Sequence, residues 1–150
     1  MEFIIKPYES AGPITIGMTK EQVRSAMSDR PEKNHIIRGT YTDFFSETCV
    51  FVYYTEENGV IEAIEFCEPT KAIINGQLLN VVPFFEAKKV LQKYDKDLVE
   101  ELGSGVTSYK LRIGLYAPKY YVEDDPGTPA VAVIVFRKGY YDGLAETIAE

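Results

Sequence analysis

Cys49-Val50-Phe51-Val52-Tyr53-Tyr54 and Val60-Ile61-Glu62-Ala63-Ile64-Glu65-Phe66 are two β-branched, aromatic runs on either side of Asn58-Gly59. Runs of that composition favour strands, and Asn-Gly accepts the two positive φ angles of a type I′ hairpin turn. A two-residue loop at Asn58-Gly59 sets Phe51 opposite Phe66, Tyr53 opposite Ile64, Val52 opposite Glu65 and Tyr54 opposite Ala63. Because side chains alternate along a strand, one face then carries Phe51, Tyr53, Ile64 and Phe66 as core. The other carries Val52, Tyr54, Ala63 and Glu65 and is expected to be half-exposed. In the same register Cys49 and Cys67 are one residue out of step and point to opposite faces. They are expected as small buried hydrophobes rather than as a disulfide.

Upstream of the hairpin, Gly17-Met18-Thr19-Lys20-Glu21-Gln22-Val23-Arg24-Ser25-Ala26-Met27 contains a Thr–Gln pair with capping-box spacing. The Thr19 hydroxyl and the Gln22 side chain each satisfy the other's free backbone N–H, while Met18 and Val23 are placed as a hydrophobic staple. Val23, Ala26 and Met27 form one apolar stripe, and Pro31 bars a long continuation. A short amphipathic helix is expected here.

Downstream, the plan recurs. Phe84, Ala87, Leu91 and Tyr94 lie on one helical stripe, with Pro83 suited to the first helical position. Leu111, Ile113 and Leu115 alternate as the core face of a strand, and Val131–Phe136 is apolar throughout, as in a central strand. Each half runs helix, connecting segment, strand ending in Tyr (Tyr54, Tyr116), then strand ending in Phe (Phe66, Phe136). The longer second spacing is taken up by the loop 117–129. The order reads as an internal duplication, with units at about 14–68 and 77–142 inside a single domain, 1–150. The fold class expected is α+β: two helix-plus-antiparallel-sheet repeats forming one curved sheet, helices on its convex face.

The 150 residues are 45% hydrophobic and 26% charged, an ordinary globular composition. Sixteen Lys and Arg against 23 Asp and Glu give a net charge of −7. That sign opposes a protein whose task is to grip nucleic acid or an anionic membrane through phosphates and suits a basic partner. No apolar run approaches the roughly 18 residues of a membrane span, and Met1–Pro7 has no signal-peptide pattern. A cytoplasmic protein is expected.

Gly17-Met18-Thr19 opening a helix that contains Gln22-Val23, followed by a hairpin and a second helix-plus-sheet unit, resembles the β-lactamase-inhibitor-protein-like superfamily. The resemblance is carried by motif over about residues 14–66 and by element order over 77–142. It implies a non-enzymatic binding module whose tandem form presents a concave sheet face to a protein partner.

Candidate chemistry is sparse. His35 is the one histidine, so nucleophile–His–acid catalysis has a single possible base. Two cysteines and that histidine are too few for a structural zinc site, and neither metal nor cofactor is expected. Gly103-Ser104-Gly105 lacks the Lys-Ser/Thr of a phosphate loop. Glu123-Asp124-Asp125 lacks the spacing of a calcium loop and reads as an acidic contact for a cationic target. Eleven Tyr and 8 Phe stand against no Trp. Tyrosine combines large contact area with a polar tip, as recognition surfaces require.

By the strand phases above, Tyr54, Glu65, Arg112, Gly114 and Tyr116 share the less apolar sheet face, where Gly114 leaves a shallow spot for a partner side chain. With Tyr120, Tyr121, Glu123, Asp124 and Asp125 they form the candidate partner-binding set. The function expected is a non-catalytic immunity or inhibitor protein that occludes a basic toxin or enzyme. The alternatives are a small-molecule carrier, an enzyme using Asp43, Glu65 or Asp124, and a subunit of a larger assembly.

Overall fold

The computed structural model describes residues 1–32, 36–37, 40–56, 59–101, 104–118 and 128–140. The chain opens with β1 (Glu2–Lys6), β2 (Ser10–Ala11), β3 (Ile14–Thr15) and helix α1 (Lys20–Ala26). Next come β4 (Ile36–Ile37), β5 (Thr40–Phe45), β6 (Val50–Tyr54), β7 (Ile61–Phe66), β8 (Lys71–Ile74) and β9 (Gln77–Leu78). Helix α2 (Phe84–Gln92) precedes β10 (Val99–Glu101), β11 (Gly105–Ser108), β12 (Ile113–Tyr116) and β13 (Ala132–Phe136). The fold is α+β.

Two sheets form, where one was expected. The larger has eight strands in the order β10-β11-β12-β13-β7-β6-β5-β4, all neighbours antiparallel. The smaller, β3-β2-β1-β8-β9, contains a parallel β1–β8 pair that matches Phe3 with Ala72. Each helix is followed by four strands of the large sheet, and the two sets of strands meet at the β7–β13 pair.

Helix α1 starts as its capping box dictates: the Thr19 N–H donates to Gln22 Oε1 at 2.9 Å and the Gln22 N–H to Thr19 Oγ1 at 3.3 Å. It ends at Ala26, after which Met27 is extended and buried. Helix α2 buries Phe84, Ala87, Val90 and Leu91. Pro83 sits one residue earlier than expected, at the cap, where its carbonyl accepts from Glu86 and Ala87. Tyr94 lies past the helix end, half-buried, and its hydroxyl accepts from Asn75 Nδ2 at 2.6 Å.

Both helices and the small sheet pack on one face of the large sheet. Phe3, Ile5, Val23, Phe84 and Leu91 join Val50, Val52, Ile64, Phe66, Ile113, Leu115, Val133 and Val135 in one buried cluster. Phe3 and Phe66, on different sheets, have ring centroids 5.2 Å apart. Among the described residues no helix is long and apolar enough to cross a membrane.

The hairpin register differs from expectation by one residue. Val50 faces Phe66, Phe51 faces Glu65, Val52 faces Ile64 and Tyr53 faces Ala63; past a bulge, Tyr54 faces Ile61. The Thr55 N–H donates to the Val60 carbonyl, so the connection spans four residues, 56–59, instead of two. Asn58 itself lies outside the described residues. The shift turns β6 over: Val50, Val52 and Tyr54 enter the main core, and Phe51 faces away from it. Continued outward, the same register places Cys49 opposite Cys67. The two form a disulfide with Cα atoms 5.6 Å apart, correcting the expectation of separate thiols.

A bridge across 18 residues removes loop-closure entropy from the unfolded chain worth about 3 kcal/mol in the chain-entropy model. Replacing both Cys49 and Cys67 with Ala is expected to lower unfolding stability by about that amount in urea titrations. The native protein should show no titratable thiol.

Candidate functional site

The face of the large sheet opposite the helices carries a different set of side chains. Following the register across six strands, Phe44, Phe51, Glu65, Ile134, Gly114 and Thr107 form one row. Its first two rings stack with centroids 4.4 Å apart. Beside this row Tyr53, Ala63 and Phe136 are buried in a second cluster, against which Tyr109 and Tyr140 pack. One end of this outer face is therefore closed by aromatic rings. The other end, toward β10–β12, is open.

At the open end lies a depression of about 290 Å³ lined by Glu65, Glu101, Thr107, Gly114, Tyr116 and Ile134, among others. Two glycines lie in its lining. A Cβ on Gly114 would come within 2.9 Å of Ile134 Cγ2. At Gly105, with φ +150°, a Cβ would collide with the Leu115 carbonyl. Tyr116 is 47% exposed at the rim. The buried Tyr53 donates its hydroxyl to Glu65 Oε1 at 2.5 Å, which fixes that carboxylate from below. Among the described residues the lining contains two carboxylates, Glu65 and Glu101, and no Lys or Arg.

Three predicted site residues, Glu65, Gly114 and Tyr116, are thus brought together. Two others are placed elsewhere. Tyr54 is 1% exposed on the opposite face, turned there by the register shift. Its hydroxyl donates to Asp43 Oδ2 at 2.9 Å, and the Lys20 ammonium lies 5.3 Å from its ring centroid. Arg112 sits in the turn before β12 with φ 59°, its guanidinium 5.1 Å from the Tyr8 ring centroid. Tyr120, Tyr121, Glu123, Asp124 and Asp125 lie outside the described residues, as do His35 and Gly103.

Asp43, weighed as a catalytic carboxylate, accepts from Arg24 and Tyr54. It is 3% exposed, with Arg24 Nη2 on Oδ1 at 2.8 Å and both Arg24 Nε and Tyr54 on Oδ2. Burial, and then the Asp43 charge, push the Tyr54 phenol well above its ordinary range, so it remains a donor. The hydrogen bond to Asp43 likewise raises Arg24.

Glu101, Gly105, Thr107 and Ile134 belong to the depression and were not among the sequence candidates. Val106 between Gly105 and Thr107 is the one apolar residue of β11, so alternation there is faint. No protein-family model, curated protein or solved structure matches this chain.

Because the Tyr54 pKa is raised on folding, its contribution is complete below the unfolded value near 10 and is lost as pH climbs above it. Stability measured by urea unfolding is expected to fall more steeply above pH ~10 in the wild type than in Tyr54→Phe. At neutral pH Asp43→Ala is expected to cost about 1–3 kcal/mol, because it leaves the buried Tyr54 hydroxyl unpaired.

Proposed function

We propose that this chain is a non-catalytic protein-binding module that occludes a basic partner with the outer face of its large sheet, as an immunity or inhibitor protein does. The observation that carries the reading is the depression on that face: among the described residues, two carboxylates and an exposed tyrosine line it and no basic group does. Opposite charge steers the encounter and sets the register of a complex, and a net charge of −7 extends the field beyond the site. Tyr116 supplies the kind of aromatic anchor that dominates binding energy at interfaces.

Two helix-plus-four-strand halves meeting at β7–β13 support a duplicated unit and, with it, kinship to β-lactamase-inhibitor-like proteins. In that reading the outer face is the concave one. The Cys49–Cys67 bridge favours an oxidising compartment over the cytoplasmic placement expected from the sequence.

The test is capture from the native organism followed by affinity measurement with the captured protein. A basic protein held by the wild type should lose about 2 kcal/mol or more with Tyr116→Ala. Tyr41→Ala, which alters an exposed tyrosine outside the depression, should bind as the wild type does. Equal affinity for the wild type and Tyr116→Ala would reject the face.

A further inference from the structure

We infer that the depression is a receptor for one arginine side chain of the partner, an inference that rests on the outer-face reading above. The register supplies the spacing. Glu65 and Gly114 are two strand intervals apart, about 10 Å, and Tyr116 is two residues along the same face from Gly114, about 7 Å. A planar group entering beside the Ile134 side chain, which lies between the Glu65 and Gly114 positions and reaches over Gly114, therefore lies between Glu65 and Tyr116.

Glu65 is prepared for that role. Tyr53 holds it through Oε1, and the second carboxylate oxygen, Oε2, can accept from an incoming donor. Thr107, opposite Gly114, adds a hydroxyl acceptor to the same lining. A guanidinium fits this arrangement on three counts: it is planar, it stacks on aromatic faces, and it forks onto a carboxylate with several donors. An ammonium satisfies the charge alone and holds its water more tightly.

Other ligand classes fit less well. Phosphate or another anion meets two carboxylates and, among the described residues, no cation. A fully apolar group would desolvate Glu65 without pairing it. A metal ion needs its oxygens within about 2.6 Å, whereas Glu65 on β7 and Glu101 on β10 start four strands apart, about 19 Å.

Gly114→Ala is a poor probe because the new Cβ would press on Ile134 and disturb the sheet. Glu65→Gln is better: it keeps the shape and the acceptor for Tyr53 while removing the charge. The experiment titrates the full chain with hexa-arginine and hexa-lysine peptides in about 0.15 M salt, where diffuse surface attraction is screened, and follows backbone amide shifts. Shifts centred on Glu65, Thr107, Gly114 and Tyr116 are expected, with hexa-arginine the tighter ligand. Glu65→Gln should weaken hexa-arginine at least about tenfold, the scale of one lost charge-assisted hydrogen bond. It should also bring the two peptides level, while Glu86→Gln, the same charge removed from an exposed site on α2, leaves both unchanged.

Shifts scattered over the acidic surface, equal binding of the two peptides by the wild type, or equal losses from Glu65→Gln and Glu86→Gln would each overturn the arginine receptor. The two readings fail separately. A partner that needs Tyr116 but is not displaced by hexa-arginine rejects the receptor and keeps the face. Hexa-arginine seated at Glu65, with partner binding indifferent to Tyr116→Ala, rejects the outer-face reading.

Discussion

The pairing of β6 with β7 governs what both faces of the large sheet present. Side chains alternate along a strand, so displacing one strand by a residue exchanges its inner and outer sets. With Val50 held opposite Phe66, the core receives Val50, Val52 and Tyr54 from β6 and Ile64 and Phe66 from β7. The outer face receives Phe51, Tyr53, Ala63 and Glu65. The same alignment sets Cys49 against Cys67 and aims the Tyr54 hydroxyl at Asp43. One displacement would thus break the disulfide alignment, leave a buried carboxylate without its phenol, and take Phe51 and Tyr53 out of their aromatic surroundings.

The rest of the molecule reinforces that alignment from several directions. At the inner end, the Thr70 hydroxyl donates to the Thr48 carbonyl at 2.6 Å, and Asn80 bonds to both Thr70 and Ala72, which ties the hairpin base to the small sheet. At the outer end, the Ile61 N–H donates to the Met18 carbonyl, tying the start of β7 to the approach to α1. Beside the bulge, Glu62 accepts from Arg137 at 3.1 Å, where β13 ends. Thr70 and Asn80 are buried, and buried polar groups are costly when unpaired, so their contacts select against competing registers as well as stabilising this one.

Much of the α+β class was legible because the signals were local. Thr19 with Gln22, the stripe Phe84-Ala87-Leu91, the alternation Leu111-Ile113-Leu115 and the apolar run ending at Phe136 each appear within a few residues of sequence. The register did not. Asn58-Gly59 favours a two-residue turn, but the structure has a four-residue connection and a bulge at the Tyr53/Tyr54 step, beside which Ile61 meets the Met18 carbonyl and Glu62 meets Arg137, both far away in the chain. The small sheet was illegible for a similar reason: β2, β3 and β9 are two residues long, too short to show a period, and β1 finds its parallel partner some seventy positions later. Within the candidate site, Gly114 and Tyr116 were legible from the phase of β12. Glu65 pointed outward in both registers considered, because only the β6 side of the pair changed faces. Thr107 and Glu101 lie on short strands whose position next to β12 is a tertiary fact.

The long separation between partners also bears on how the chain is made. Synthesis delivers residues from the N-terminus onward, so when the first seventy have left the ribosome, β7 has β6 on one side and nothing on the other. Its companion β13 ends at Phe136 and is the last of the described strands to emerge. Until then the growing chain displays a bare, apolar strand edge, the kind of template that invites pairing between molecules. The centre of the finished sheet is its most exposed seam during translation, and the interval before β13 arrives is when an attendant chaperone would matter most.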